Sequence, residues 1–219
     1  MMCGRFTLTA DQATIETYLE ENFNITSPGF HHEPRYNIAP AQPIITLIDD
    51  GSNFRAGKLL WGHQGGAHSS KPFINARSET VHEKKTFKQS FLTRRCVVLA
   101  DGFYEWDASK TPFHIHPSGH TIFAFAAIYS SSKLSEGSQV ALLTKASDGD
   151  MATVHSRMPI MLDIKGAKAY MTRHASMREL QETLTHTLAP KHFTPVHPMV
   201  GNPANDSAAI FSENLFSHY

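Results

Sequence analysis

A chain of 219 residues in which 20 Lys plus Arg face 20 Asp plus Glu has no formal net charge. That excludes a globally basic protein and leaves any polyanion contact to a local patch. With 41% hydrophobic and 10% aromatic residues, the chain is expected to fold as one domain over residues 1–219 and not to be disordered. Cys3 and Cys96 are the only cysteines, too few for a disulfide framework. No basic leader precedes an apolar stretch, and no run of about eighteen apolar residues occurs. A soluble cytoplasmic protein, nucleoid-associated where it meets DNA, is the expectation.

In chain order, Thr9-Ala10-Asp11-Gln12 has the capping-box pattern, and Ile15, Tyr18, Leu19 and Phe23 follow at helical spacing. They predict a helix of about four turns. Residues 24–34 read as loop, and Arg35 to Pro40 as an extended segment stopped by its proline. Ile44 to Ile48 and Phe54 to Trp61 read as strands joined at Asp50-Gly51. Gly62 to Ser70 has no period and reads as an exposed loop. Ile74 to Arg77 reads as a short strand, followed by a partly helical stretch to about Leu92. Strands are expected at 96–100, 103–106, 112–115, 122–129, 140–144 and 158–162. Helices are expected at 164–171 and 176–184, the second with a capping box at Ser176 and Glu179. The sum is an α+β domain with a mainly antiparallel, barrel-like sheet and peripheral helices. His114 and His116 would share a strand face, as a solvated pair and not a metal site.

Cys3 can become N-terminal by processing. It would then combine an α-amine, reference pKa about 8, with a thiol of about 8.5. Such a 1,2-aminothiol condenses with an aldehyde to an imine, which the sulfur closes to a thiazolidine. The same thiolate could instead attack an acyl carbon with help from a base. The plain alternative is a small buried side chain.

Four stretches place polar residues within or beside apolar strands: Cys3-Gly4-Arg5-Phe6, Ile74 to Thr80, Ala100 to Trp106 and Val154 to Pro159. With Arg35-Tyr36-Asn37-Ile38-Ala39-Pro40, Trp61-Gly62 and Val200-Gly201-Asn202, their order and spacing resemble the SOS-response-associated peptidase (SRAP) family. Members of that family cap abasic sites in single-stranded DNA. The resemblance implies a catalytic set of Cys3, Asn75, Glu105 and His155. It also implies DNA contacts from Arg5, Asn37, Pro40, Arg77 and Arg157, with neither metal nor organic cofactor.

The residue chemistry fits those roles. Glu105 beside Tyr104 and Trp106 could have a raised pKa and shuttle protons, or be an ordinary surface glutamate. His155 could share the proton work or be one solvated histidine of the fourteen. Asn75 could orient the amine or the sugar oxygen, or merely end a strand. Arg5, Arg77 and Arg157 suit bidentate phosphate contacts, the alternative being a solvated face.

Two features depart from the family pattern. Met1-Met2 precede the cysteine, so Cys3 has no free α-amine unless translation starts at Met2 or both methionines are removed. The loop after Trp61-Gly62 carries Gly65-Gly66-Ala67-His68 where relatives have aromatic wedges, leaving Pro40 as an apolar wedge. Besides abasic-site capture, two other functions remain open. One is a cysteine autopeptidase acting on its own methionines, and the other is a non-covalent single-strand-binding module. A monomer is the default expectation.

Overall fold

The computed structural model describes residues 3–63, 72–119, 122–130 and 137–212. Strand β1 (Phe6–Leu8) leads to helix α1 (Gln12–Phe23), then β2 (Arg35–Ile38), β3 (Pro43–Asp49), β4 (Phe54–Trp61) and β5 (Asn75–Arg77). Helix α2 (Lys85–Thr93) precedes the run β6 (Arg95–Ala100), β7 (Gly102–Trp106), β8 (Pro112–His116), β9 (Phe123–Ser130) and β10 (Gln139–Ala146). A short α3 (Met151–Val154) is followed by β11 (Arg157–Pro159) and β12 (Met161–Leu162), and then by α4 (Ile164–Met171) and α5 (Met177–Thr185). Strand β13 (His192–Pro195) and 3-10 turns at Pro198–Gly201 and Ala208–Phe211 complete the described chain.

The strands form two sheets. The five-stranded one runs β13-β8-β7-β1-β2, and the eight-stranded one contains β11-β10-β4-β3-β6-β9-β12 with β5 beside β10. Strand β9 pairs with both β6 and β10, which closes β10, β4, β3, β6 and β9 into a ring. The α+β architecture expected from the sequence is therefore present, although the second sheet lies outside the ring and the whole is not one clean barrel. The β10 pairings with β4 and β5 are parallel. The wall strands β6, β9 and β10 are buried almost throughout, which is why they read as continuous apolar runs and not as alternating ones.

Phe6 joins the two sheets. Fully buried, it packs edge-on against Trp61 at 5.2 Å and Phe125 at 5.7 Å, contacts that fix an aromatic ring beyond mere area burial. Trp61 in turn donates Nε1–H to the carbonyl of Ile74, 2.9 Å away. On β7, the His114 side chain of β8 lies so close to residue 102 that only glycine fits there. A Cβ would sit 2.1 Å from His114 Nε2 and 3.0 Å from the Thr7 hydroxyl of β1.

Several local details differ from the sequence reading. Helix α1 is capped by Asp11, whose carboxylate accepts the Thr14 N–H. The Thr9 hydroxyl donates to Asp101 at 2.6 Å instead. The 158–162 strand is split at Ile160 into two pairings, with β10 and with β9. His114 and His116 do share a face, their rings 5.3 Å apart, but His116 is buried and His192 stacks on it at 4.8 Å. The pair is packed, not solvated. Gly65-Gly66-Ala67-His68 falls outside the described residues. Among the described residues no helix is long and apolar enough to cross a membrane.

Arg95, buried at the start of β6, is the chief polar tie between helices and wall. It donates to the carbonyls of Phe91, Leu92, Tyr170, Thr172 and Arg173, and so satisfies the exposed C-terminal ends of α2 and α4. Arg95→Leu is expected to cost about 3 kcal/mol, because buried carbonyls lose a charged donor. At this chain length that corresponds to a Tm drop of about 6–12 °C. Urea unfolding should show a lower midpoint at unchanged slope.

Candidate active site

Cys3 lies just ahead of β1, 1% exposed. Two neighbours fix its backbone. Asn75, the first residue of β5, donates Nδ2–H to the Cys3 carbonyl at 3.1 Å. On the other side, the Tyr104 N–H of β7 donates to the Arg5 carbonyl at 3.0 Å. The next residue along β7 is Glu105, 2% exposed. The pairing of β1 with β7 and the side-chain bond from Asn75 of the other sheet thus bring residues 3, 75 and 105 to one place.

Burial sets the chemistry of this place. Desolvation pushes the Glu105 carboxyl above the ordinary glutamate range, while His155 and the backbone N–H groups of Cys3 and Trp106 work against the rise. Glu105 Oε1 has no hydrogen-bond partner among the described residues. The Cys3 thiol is likewise raised, first by burial and then by the negative charge of Glu105. Near neutral pH the sulfur is therefore a thiol beside a carboxylate that readily takes a proton. His155 caps α3 with its N–H on the Met151 carbonyl, and its Nδ1 lies 3.1 Å from the backbone N–H of Arg157.

The arginines divide into two kinds. Arg77 is exposed on β5 and Arg157 lies across β10 from it, paired through Thr144 and Ala146. Arg157 forms a fork with Glu79 at 2.5 and 2.9 Å and also reaches the Thr144 carbonyl at 2.8 Å. That pairing holds the Glu79 carboxyl below its usual range. Glu79 is a site residue to which the sequence reading gave no role. Its partner lies 78 positions away, so no local pattern marks it. Pro40 sits partly exposed at the β2–β3 turn, ahead of Ala41 at a φ of 66°.

Asn37, for which the resemblance implied a DNA contact, is fully buried, and its side-chain amide donates to the backbone carbonyls of Val200, Asn202 and Asn205. Arg5 points the same way, toward the carbonyls of Val200 and Gly201. A cavity of about 940 Å³ lies elsewhere, between α1 and the start of α4, and none of the cluster residues lines it. Among the described residues no cluster of His, Cys, Asp and Glu could hold a metal ion.

A carboxyl whose folded pKa is raised binds its proton more tightly folded than unfolded, so stability declines as pH rises from the unfolded pKa through the folded one. Glu105→Gln is therefore expected to raise Tm at pH 8. The gain should vanish below the ordinary glutamate range of about 4.3. Thermal melts of both proteins between pH 4 and 8 check this.

Comparison with known proteins agrees with the geometry. The family model described as SOS response associated peptidase (SRAP) matches residues 2–203. The chain is similar to abasic site processing protein YoqW of Bacillus subtilis, 34% identical over 97% of this chain and 100% of that one. It is also similar to abasic site processing protein YedK of Escherichia coli, 30% identical over 95% and 98%. A phage-related protein from Bordetella bronchiseptica superposes with a TM-score of 0.74 at 27% identity, covering 89% of this chain and 94% of that one. A Bacteroides thetaiotaomicron protein at 18% identity and TM-score 0.75, covering 97% and 100%, shares the fold. A family match that spans residues 2–203 of the 219 shows that this chain belongs to the SRAP family.

Proposed function

We propose that the protein captures abasic sites in single-stranded DNA, forming a thiazolidine crosslink through Cys3 once that residue is N-terminal. The observation that carries this reading is the Asn75 hydrogen bond to the Cys3 carbonyl beside a buried, proton-avid Glu105. It holds the backbone of the would-be N-terminus where an acid and a base can serve it. The relatives named as abasic site processing proteins support the same reading.

The steps balance without an external reagent. An abasic deoxyribose is mostly a closed hemiacetal. Protonated Glu105 gives its proton to the ring oxygen as His155 takes the one from the anomeric hydroxyl, which frees the aldehyde. The Cys3 amine adds to the carbonyl carbon, and water leaves to give an imine. The thiol then adds across the C=N bond, its proton passing by way of the Glu105 carboxylate to nitrogen. The product is one thiazolidine, and the whole sequence releases one water. Arg77, with Arg157 behind it, supplies a positive margin for flanking phosphates, and Pro40 an apolar edge against a base. Neutral overall charge is no obstacle, because a few arginines suffice for a local groove.

A peptidase reading is favoured by one feature, the two methionines ahead of Cys3. Here His155 would take the Cys3 thiol proton as the sulfur attacks the Met2 carbonyl. The Met2–Cys3 amide bond would break with that proton passing to the Cys3 nitrogen, and water would hydrolyse the resulting thioester to release Met1-Met2. Intact mass separates the readings: if Cys3→Ala loses Met1 and Met2 as the unaltered chain does, self-processing is wrong.

Protein beginning at Cys3, incubated with an abasic oligonucleotide, is expected to give a denaturation-resistant product whose mass is the sum of the two less one water. Chain retaining Met1-Met2 should give none. Cys3→Ser keeps the amine and should give only an imine, recovered after borohydride reduction. Glu105→Gln should slow crosslinking by about 100-fold or more. Binding without any abasic-specific adduct from the Cys3-initiated protein would reduce it to a plain single-strand binder and overturn the proposal.

A further inference from the structure

Residues 196–212 cross the end of the five-stranded sheet, where that sheet's polar groups hold them. Val196, Val200 and Ile210 are buried against Tyr104, with Tyr36, Trp106 and Met199 around them, in an apolar cluster separate from the main core. Arg5 donates Nη1–H to the Val200 carbonyl at 2.5 Å and to Asn37 Oδ1 at 3.0 Å, and Nη2–H to the Gly201 carbonyl at 3.0 Å. Asn37 Nδ2 lies 3.1, 3.0 and 2.8 Å from the carbonyls of Val200, Asn202 and Asn205. From the tail side, Asp206 accepts the N–H groups of Tyr36 and Asn37 at 2.5 and 2.8 Å and pairs with Arg35.

These contacts converge on the reacting residues. Arg5 follows Cys3 by two positions, and its carbonyl accepts the Tyr104 N–H one residue before Glu105. The same carbonyl lies 4.0 Å from the Cys3 sulfur. The short stretch of chain just ahead of β1 therefore carries the cysteine, registers the acid and grips the tail. Asp206 and Ile210 lie beyond residue 203, where the family match ends.

We propose that residues 196–212 form a strap holding Cys3 in register with Glu105. Arg5 is its anchor just ahead of β1 and Asp206 its anchor on the tail, and both act as positioning residues, with Arg5 not serving as a phosphate ligand. The proposal rests on the abasic-capture reading for its rate prediction alone, since the position of Cys3 can be read without DNA. A phosphate ligand and a strap anchor also differ in their salt signature. Each phosphate contact to a single strand contributes about 0.7 to the slope of log affinity against log salt, whereas an anchor contributes none.

The test uses Asp206→Asn and Arg5→Gln in the full chain, read in three ways. First, alkylation of each cysteine by iodoacetamide is followed by peptide mass mapping. Cys3 should react several-fold faster than in the unaltered protein, while Cys96, buried in the ring wall, stays unchanged as internal control. Second, in protein beginning at Cys3, the crosslinking rate at saturating abasic DNA should fall about tenfold to a hundredfold, as expected for a displaced nucleophile. The half-saturating DNA concentration should hold. Third, the salt slope for intact single-stranded DNA should not change, and Asp206→Glu should restore part of the rate.

Should Asp206→Asn fail to fold, Asn205→Ala is expected to give the same pattern more weakly. It removes the Asn205 side-chain bond to the Met199 carbonyl. Unaltered Cys3 alkylation and crosslinking in the tail variants, or a salt slope lowered by about 0.7 in Arg5→Gln, would overturn the strap. If the unaltered protein forms no crosslink, the function reading fails, while the alkylation result still decides the strap.

Discussion

The site depends on how the short strand β1 is held. Its Phe6 is locked into the ring by Trp61 and Phe125, its edges pair with β2 and β7, and the residue ahead of it hangs from Asn75 by one hydrogen bond. A chain terminus ordinarily frays, because few contacts tie it down. Here Cys3 is buried as deeply as the ring wall, at 1% exposure. A side chain close to a chain end is placed accurately only under such constraint.

That constraint has an electrostatic cost. Cys3 and Glu105 are both buried, burial works against the charged form of each, and the negative charge of Glu105 raises the thiol further. A core made only for stability would replace them with apolar residues. A carboxyl whose proton affinity is raised beside a buried thiol is suited to reversible proton transfer. The Arg157–Glu79 fork is a milder case of the same bargain. Arg157 is held in place by an acid that partly offsets its charge.

Local chemistry was legible in the sequence, and long-range backbone contacts were not. Residues 96–100, 122–129 and 140–144 read as strands because both faces of each are buried, so hydrophobicity alone marked them. The Ser176/Glu179 capping box formed as read, with both halves present. Thr9 misled as a cap because its hydroxyl bonds to Asp101, 92 positions away. Strand β13 carries a proline and pairs only with β8 at the sheet edge, and α3 spans four residues, too few for a period to show. Asn37 and Arg5 carried the right residue types for DNA contacts, but backbone carbonyls of the tail claim them. Carbonyls have no sequence identity, so such partners cannot be read from residue letters.

The central claim is that Cys3 works as an N-terminal residue, and the intact mass of the protein purified from its native host tests it most directly. A mass beginning at Cys3 is the expected result, since only then does the amine that Asn75 and Glu105 would serve exist. A mass that retains Met1 or Met2 would contradict the account. The α-amine would then lie outside the cluster, and thiazolidine formation would be closed to the protein in its working form.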